Sequence, residues 1–344
     1  MARSAHSRAP GYGPATDWVR ARVIRSNERV HRVEIGLYTD SLSGLPFEEM
    51  LDEATASGVS AIEIATGGQS RAPHLKVDDL LASAPERARF LQSFASRGLR
   101  IAALNCSAWP MHPVLGAAHS ELIDKTIRLA AELGVTRIVT MSGCPGDGRT
   151  ATTVNWTWYP WPEDAVALGR RGWDEGVALW TEKARLAEAA GVTSLAFELH
   201  PLHLVYNVPT ALAFRAAVGD VIGVNLDPSH LFWQQMDPIA AVRTLGPAVA
   251  HVHMKDTEVK ADQVAIAGVL DNRSFDTPDE RAWVFRTTGR IHPAAWWSTF
   301  LDALRDAGYD DALSIEQEDP YASQVDGVRE AAAFIAGLLG ERPA

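Results

Sequence analysis

The stretch VEIGLYTDSLSG, residues 33–44, decides the fold class. Its first six residues form a short, mostly apolar run that stops at a polar turn, the pattern of a buried parallel strand. Its last six residues are equally informative. An open, doubly wound sheet places a Gly-rich G-x-G-x-x-G turn directly after its first strand, and Thr39-Asp40-Ser41-Leu42-Ser43-Gly44 contains none. Instead PFEEMLDEATASG, residues 46–58, sets Pro46 at a helix start and Gly58 at its stop.

The same strand–helix unit recurs along the chain. AIEIA (61–65) precedes the helical stretch VDDLLASAPERARFLQSFASRG (77–98), where Pro85 predicts a break. RIAALNC (100–106) precedes HSELIDKTIRLAAELG (119–134). RIVTMSG (137–143) leads through a long loop to GWDEGVALWTEKARLAEAAG (172–191). In the second half, SLAFELH (194–200) pairs with TALAFRAAVG (210–219), and VIGVNLD (221–227) with PIAAVRTLG (238–246). AHVHMKD (250–256) is followed by a second long loop and HPAAWWSTFLDALRDAGY (292–309), and ALSIEQED (312–319) by GVREAAAFIAGLLG (327–340). Eight βα units in one chain predict an α/β fold, a single (β/α)8 TIM barrel with long loops after strands 4 and 7. The barrel is expected over residues 31–344, behind an N-terminal arm of residues 1–30.

Composition narrows the function. Against 43 Asp+Glu stand 32 Lys+Arg, a net charge of −11 with no basic cluster, which opposes binding to a phosphate backbone. No apolar run reaches the length of a membrane span, and the charged N-terminus lacks the apolar stretch of a signal peptide. A cytoplasmic enzyme with no membrane or nucleic-acid partner is expected. Cys106 and Cys144 cannot make a disulfide framework and read as buried thiols.

In a barrel of this kind, chemistry collects at the carboxyl ends of the strands. Those ends carry Glu198 and His200, Asp227 and His230, His251, His253 and Lys255, then Glu316 and Glu318. Strand alternation turns Glu198 inward with His200, His251 with His253 and Lys255, and Glu316 with Glu318 or Ser314. Carboxylates facing one another repel unless a cation lies between them. Glu198, Asp227, His253 and Glu316 would give a site of three carboxylates and one imidazole, suited to Mn²⁺, Mg²⁺, Co²⁺ or Fe²⁺. Spacing alone leaves His251 open in place of His253, and Glu318 is expected to face a neighbouring side chain.

The motifs ELHP, NLDPSH, HVHMKD and SIEQED together resemble the xylose-isomerase-like barrels, which include ketose 3-epimerases and inosose dehydratases. The resemblance implies the metal quartet Glu198, Asp227, His253 and Glu316, with its H-x-K-D pattern favouring His253, and gives His230 a substrate-binding or supporting place. More narrowly, NCSAWPMHP (105–113), SGCPGD (142–147), ELHPLHLVYN (198–207) and DPSHLFWQQMDP (227–238) resemble the catalytic α subunits of bacterial C-glycoside deglycosidases. Those enzymes act on 3-keto C-glycosides and pair with a small β subunit. Ala108-Trp109 departs from the Gly-Asn common in that branch and sets a bulky ring beside the expected pocket.

The chemistry these residues suggest is metal-assisted removal of a proton beside a carbonyl, ending in epimerisation, isomerisation or elimination. His200 is the first choice of base, with His112 and His292 behind it, and Lys255 is placed to hold a substrate oxygen. Trp109 and Trp158, with Trp156, Tyr159 and Trp161 nearby, offer rings for stacking on a sugar or flat aglycone. Arg286, His292 and Arg290 would orient substrate hydroxyls. The expected activity is a Mn²⁺-dependent C–C lyase on 3-oxo-C-glycosides, with a keto-sugar or inosose epimerase, isomerase or dehydratase as the alternative. Trp-rich loops also make an oligomer the expected assembly. An endonuclease of the same superfamily is disfavoured by the acidic charge, and a catalytically silent subunit by the intact quartet.

Overall fold

The computed structural model describes residues 33–340, so the arm expected over residues 1–30 lies outside the described residues. The elements run in chain order as β1 (Glu34–Tyr38), α1 (Phe47–Ala56), β2 (Ala61–Gly68), α2 (Val77–Ala82), α3 (Ala84–Ala95), β3 (Arg100–Ser107), α4 (Gly116–Leu133) and β4 (Arg137–Thr140). Then come α5 (Glu163–Ala189), β5 (Ser194–Glu198), α6 (Val208–Val218), β6 (Ile222–Leu226), α7 (Pro228–Trp233), α8 (Pro238–Leu245) and β7 (Val249–Met254). The chain continues through β8 (Asp256–Val259), α9 (Ala261–Ala267), β9 (Trp283–Arg286), α10 (Ala294–Asp306), β10 (Ala312–Ile315) and α11 (Gln324–Leu339). Eight parallel strands close in the order β1-β10-β7-β6-β5-β4-β3-β2, which is the single (β/α)8 barrel.

Apolar residues of the strands, such as Leu37, Ile62, Leu104, Ile138 and Phe197, are fully buried against the helices. Inside the barrel a small apolar cluster of Ala103, Val139 and Ala196 accompanies a polar one. Glu63 on β2 contacts Asn105 on β3 and both His251 and His253 on β7. Strands β2 and β7 are not neighbours, so these side chains meet across the lumen. At the opposite, N-terminal end, Asp311 lies between Arg100 and Arg137, a stability feature by its position.

Several local expectations need correction. The helix after β2 breaks at Ser83, whose hydroxyl caps α3 by accepting the Glu86 N–H at 3.3 Å, and Pro85 begins α3 rather than interrupting it. The loop after strand 7 contains the antiparallel pair β8–β9 with α9 between its strands. Asp256 pins the end of this insertion by accepting the backbone N–H groups of Ile291 and His292, both at 3.0 Å. A short helix, α7, follows β6 directly, because Asp227 caps it and Pro228 occupies its first turn. Finally β5 ends at Glu198 and β10 at Ile315, so His200, Glu316 and Glu318 sit beyond the strands. Strand alternation therefore cannot assign their direction.

Candidate active site

The carboxyl ends of β5, β6, β7 and β10 bring Glu198, Asp227, His253 and Glu316 together, with one donor atom from each within 4.8 Å of the others. Local structure aims each one. Asp227 Oδ1 accepts the Ser229 N–H at 2.8 Å as the cap of α7, leaving Oδ2 toward the centre. His253 Nε2 is held by both oxygens of Glu63 at 3.1 Å, which turns Nδ1 to 2.9 Å from Glu316 Oε2 and 3.8 Å from Glu198 Oε2. A carboxylate fixing the far nitrogen of an imidazole is the usual support of a metal-binding histidine. Glu63 was missed in the sequence, although an acid inside the apolar strand AIEIA was its signal.

His251 sits one level deeper. Its Nε2 lies 2.7 Å from Glu63 and 3.0 Å from Ser314, so Glu63, His251 and His253 form a second compact group. Its members largely satisfy one another. In the quartet Asp227 Oδ2 and His253 Nδ1 are buried and face charged groups, Lys255 Nζ at 3.0 Å and Glu316 Oε2 at 2.9 Å. They converge with oxygens of Glu198 and Glu316. Three carboxylates and one imidazole nitrogen therefore fit a divalent cation with oxygen preference.

Lys255 brings positive charge to the carboxylates. Its ammonium lies 3.0 Å from Asp227 Oδ2, 2.7 Å from Glu316 Oε2 and 2.9 Å from Glu318 Oε2. Burial alone would lower the Lys255 pKa, but Asp227, Glu316 and Glu318 hold it well above its ordinary value. Burial likewise opposes protonated His253, yet Glu63 and Glu316 raise it. Asp227 is held well below the usual carboxylate range, against its burial, by Lys255, His230 and His253.

His230 Nε2 stands 3.0 Å from Glu198 Oε1, and the His200 ring packs on His230 with centroids 4.4 Å apart. With the His200 Nδ1–H donating to the Pro201 carbonyl at 2.6 Å, Nε2 is left as the free acceptor. Burial and the neighbouring His230 push its pKa down to about 4, so the ring is neutral at pH 7.

A cavity of about 1120 Å³ opens above the quartet. Glu198, His200, His230, Lys255 and Glu316 line it, with Tyr38, Asp40, Gln69 and Ser70 on the side of β1 and β2. Gly68 makes that side close-fitting: its φ is +93°, and a Cβ there would fall 2.5 Å from the Ser107 backbone. Phe275, Arg281, Trp283 and Phe285 of the insertion line the far side.

Six expected site residues lie outside the cavity wall. His112 accepts the N–H groups of Val114 and Leu115 at 3.1 Å, which makes it a turn residue. Trp109 packs on His203 at 4.5 Å, so its ring is turned into the loop rather than toward substrate. Trp158 is 47% exposed, and Trp156 is the tryptophan of that loop on the cavity wall. Arg286 is engaged by Glu258 and Asp319. His292 bonds Asp256 at 2.6 Å and stacks on Phe232 at 3.8 Å. Arg290 pairs with Glu330. Cys106 and Cys144 are buried, and burial raises their thiols to about 11 and about 12.

Comparison with known proteins agrees with this architecture. A family model described as xylose isomerase-like TIM barrel matches residues 51–338. YfiH of Bacillus subtilis (strain 168), an uncharacterized protein, is 39% identical over 301 residues, covering 86% of this chain and 96% of its own. Among solved structures, the zinc-bound IolI protein is 18% identical with a TM-score of 0.62, over 90% of this chain and 98% of that one. An L-ribulose 3-epimerase is 19% identical with a TM-score of 0.57, over 90% and 95%. At these identities the two structures speak for the fold. No helix among the described residues is long and apolar enough to cross a membrane.

Proposed function

The chain belongs to the xylose isomerase-like TIM barrel family, and from that premise we propose a divalent-metal-dependent enzyme that removes the proton beside a sugar ketone. Its reaction is β-elimination, cleaving the C–C bond between sugar and aglycone in a 3-oxo-C-glycoside. The observation that carries the chemistry is the convergence of Glu198, Asp227, His253 and Glu316, of which Glu198 and Glu316 line the cavity. A cation held there, Mn²⁺ by the donor set, would polarise the ketone oxygen and make the adjacent C–H acidic.

The chain's own groups supply the rest. His200, neutral and with Nε2 free, accepts the proton. Lys255 lies near enough to the quartet to donate to a substrate oxygen. His230, fixed on Glu198, and the polar wall of Asp40, Gln69 and Ser70 meet sugar hydroxyls. Loss of the C2 proton and of the C1 substituent forms a C1=C2 double bond conjugated with the C3 ketone. The departing aglycone carbon takes up a proton, and no external oxidant or reductant is needed.

The same proton removal supports the second reading, a ketose or inosose epimerase, isomerase or dehydratase. An epimerase at carbon 3 of a 2-ketose, as the structural neighbour is named, also works beside a ketone. Cavity size favours the glycoside. About 1120 Å³ lies just above the usual range of small-molecule pockets, ~300–1,000 Å³, and a lone monosaccharide would leave much of it to water. A small second subunit and a cytoplasmic setting accompany the lyase reading.

The test is NMR in D₂O of Mn²⁺-loaded protein with a 3-oxo-C-glucoside. Aglycone release that stops with chelator supports the lyase. Deuterium uptake at C2 without release moves the assignment to epimerase or isomerase, and neither signal, with the small second subunit supplied, refutes the lyase.

A further inference from the structure

The inner half of the cavity faces the quartet; the outer half, under the β8–β9 insertion, has no role in the proton removal at the metal site. Three Lys or Arg side chains line the whole space: Lys255, Arg273 and Arg281. Lys255 faces Asp227, Glu316 and Glu318, and Arg273 Nη2 lies 2.8 Å from Asp271 Oδ2. Arg281 differs. It is only 2% exposed, yet it has no carboxylate at ion-pair distance among the described residues.

Its Nε–H donates to the Trp283 carbonyl at 3.3 Å and Nη1 donates to the Arg273 carbonyl. Three of the five guanidinium N–H groups, including both on Nη2, therefore have no acceptor among the described residues. Asp271 acts on this charge from beyond ion-pair distance, so the spare guanidinium donors remain open to a ligand oxygen. Flat apolar surface surrounds it, with the guanidinium carbon 4.0 Å from the Phe275 ring centre and 4.5 Å from that of Trp283. Those rings continue to Phe285, which lies 4.6 Å from Lys255 Nζ and edge-on to His230 at 5.3 Å. One aromatic wall thus runs from the quartet to Arg281. Phe275, 61% exposed, stands at the open end.

We propose that the outer half of the cavity is a second substrate subsite, taking a planar aromatic group that carries an anionic oxygen, with Arg281 as its counter-ion. The sugar would lie at the quartet and the aglycone on this wall. That assignment of halves rests on the proposed function, whereas binding of the aromatic anion does not. A carboxylate and a phenolate share the required chemistry, since Arg donates to either oxygen through charge-assisted bonds.

The experiment is calorimetry on full-length protein stripped of metal, so that no ion at the quartet can hold the probe. Benzoate is compared with benzamide, and 4-nitrophenolate at pH 9 with 4-nitroanisole. At least tenfold tighter binding of one or both anions over the neutral analogue supports the subsite, and the preferring pair identifies the oxygen. Equal binding of anion and neutral in both pairs overturns it. Arg281→Gln should abolish the preference and Arg281→Lys keep it, and a preference surviving Arg281→Gln also overturns it. Should Arg281→Gln fail to fold, Phe275→Ala at the exposed mouth should weaken the preferred anion at least threefold, and unchanged affinity counts against the wall. Mn²⁺ titration of the same preparation reports separately on the quartet, so the two readings fail independently.

Discussion

Replacing Lys255 with Met removes the ammonium while keeping most of the stem. The ammonium lies within 3.0 Å of carboxylate oxygens from Asp227, Glu316 and Glu318, and Lys255 is 1% exposed. Removing one member of a buried charge cluster costs about 3–5 kcal/mol, because the remaining charges stay buried. Glu318 is half exposed and adds little, so the cost falls on Asp227 and Glu316. For a chain of this size that is a fall in melting temperature of roughly 4–7 °C. With a divalent cation bound, the same carboxylates have another counter-charge. Mn²⁺ at a hundredfold excess over its Kd would add ~2.7 kcal/mol to the wild type, and more to Lys255→Met, whose carboxylates need not first release an ammonium. Calorimetric melts with chelator and with Mn²⁺ read both quantities. The variant should be much less stable in chelator and close to wild type in Mn²⁺, with tighter metal binding. Equal melts in chelator, or weaker Mn²⁺ binding by the variant, would refute Lys255 as the counter-ion of the quartet.

Other consequences can be checked in the same way. Glu63→Gln frees the far nitrogen of His253 and should weaken Mn²⁺ binding about 10–100-fold; calorimetric titration showing wild-type affinity would remove Glu63 from the supporting role. His200→Asn should leave Mn²⁺ affinity unchanged while turnover drops about 10²–10⁴-fold, and an unchanged rate would exclude it as base. At the far end of the barrel, Arg137 and Arg100 hold the Asp311 pKa well below its ordinary value against the effect of burial. A lowered folded-state pKa contributes stability above the unfolded value, ~3.9, and that contribution is lost as pH falls through the folded pKa. Asp311→Asn should therefore melt lower than wild type at pH 7, with the gap closing in acid; a gap independent of pH would refute the linkage.

The barrel was readable because its signal repeats: apolar runs bounded by turns at Val33, Ala61, Arg100 and each later strand, without a phosphate-binding turn after the first. The cluster of four was also readable, since its residues sit at equivalent strand ends; spacing left His251 open, the H-x-K-D resemblance favoured His253, and the contacts with Glu316 and Ser314 separate the two. Alternation turned Glu198 and His200, and Glu316 and Glu318, toward one cavity, and all four line it. Alternation holds inside a strand, and His200, Glu316 and Glu318 lie beyond strand ends, where turns set direction. Loop residues were harder still. Trp109, His112 and His292 have the right chemistry for a pocket, but their loops fold them onto His203, onto backbone N–H groups and onto Asp256. The segment RAWVFR, residues 281–286, carries the aromatic and β-branched content of a strand, and reading it so would have placed Trp283 and Phe285 together before the structure did.

The most direct measurement is Mn²⁺ binding, followed by electron paramagnetic resonance, to metal-stripped wild type and to Glu316→Gln. The geometry predicts one tightly bound ion per chain in the wild type and at least a hundredfold weaker binding in the variant, with the fold intact by circular dichroism. A wild type that binds no Mn²⁺, or a variant that binds it equally well, would contradict the assignment of Glu198, Asp227, His253 and Glu316 as the metal site.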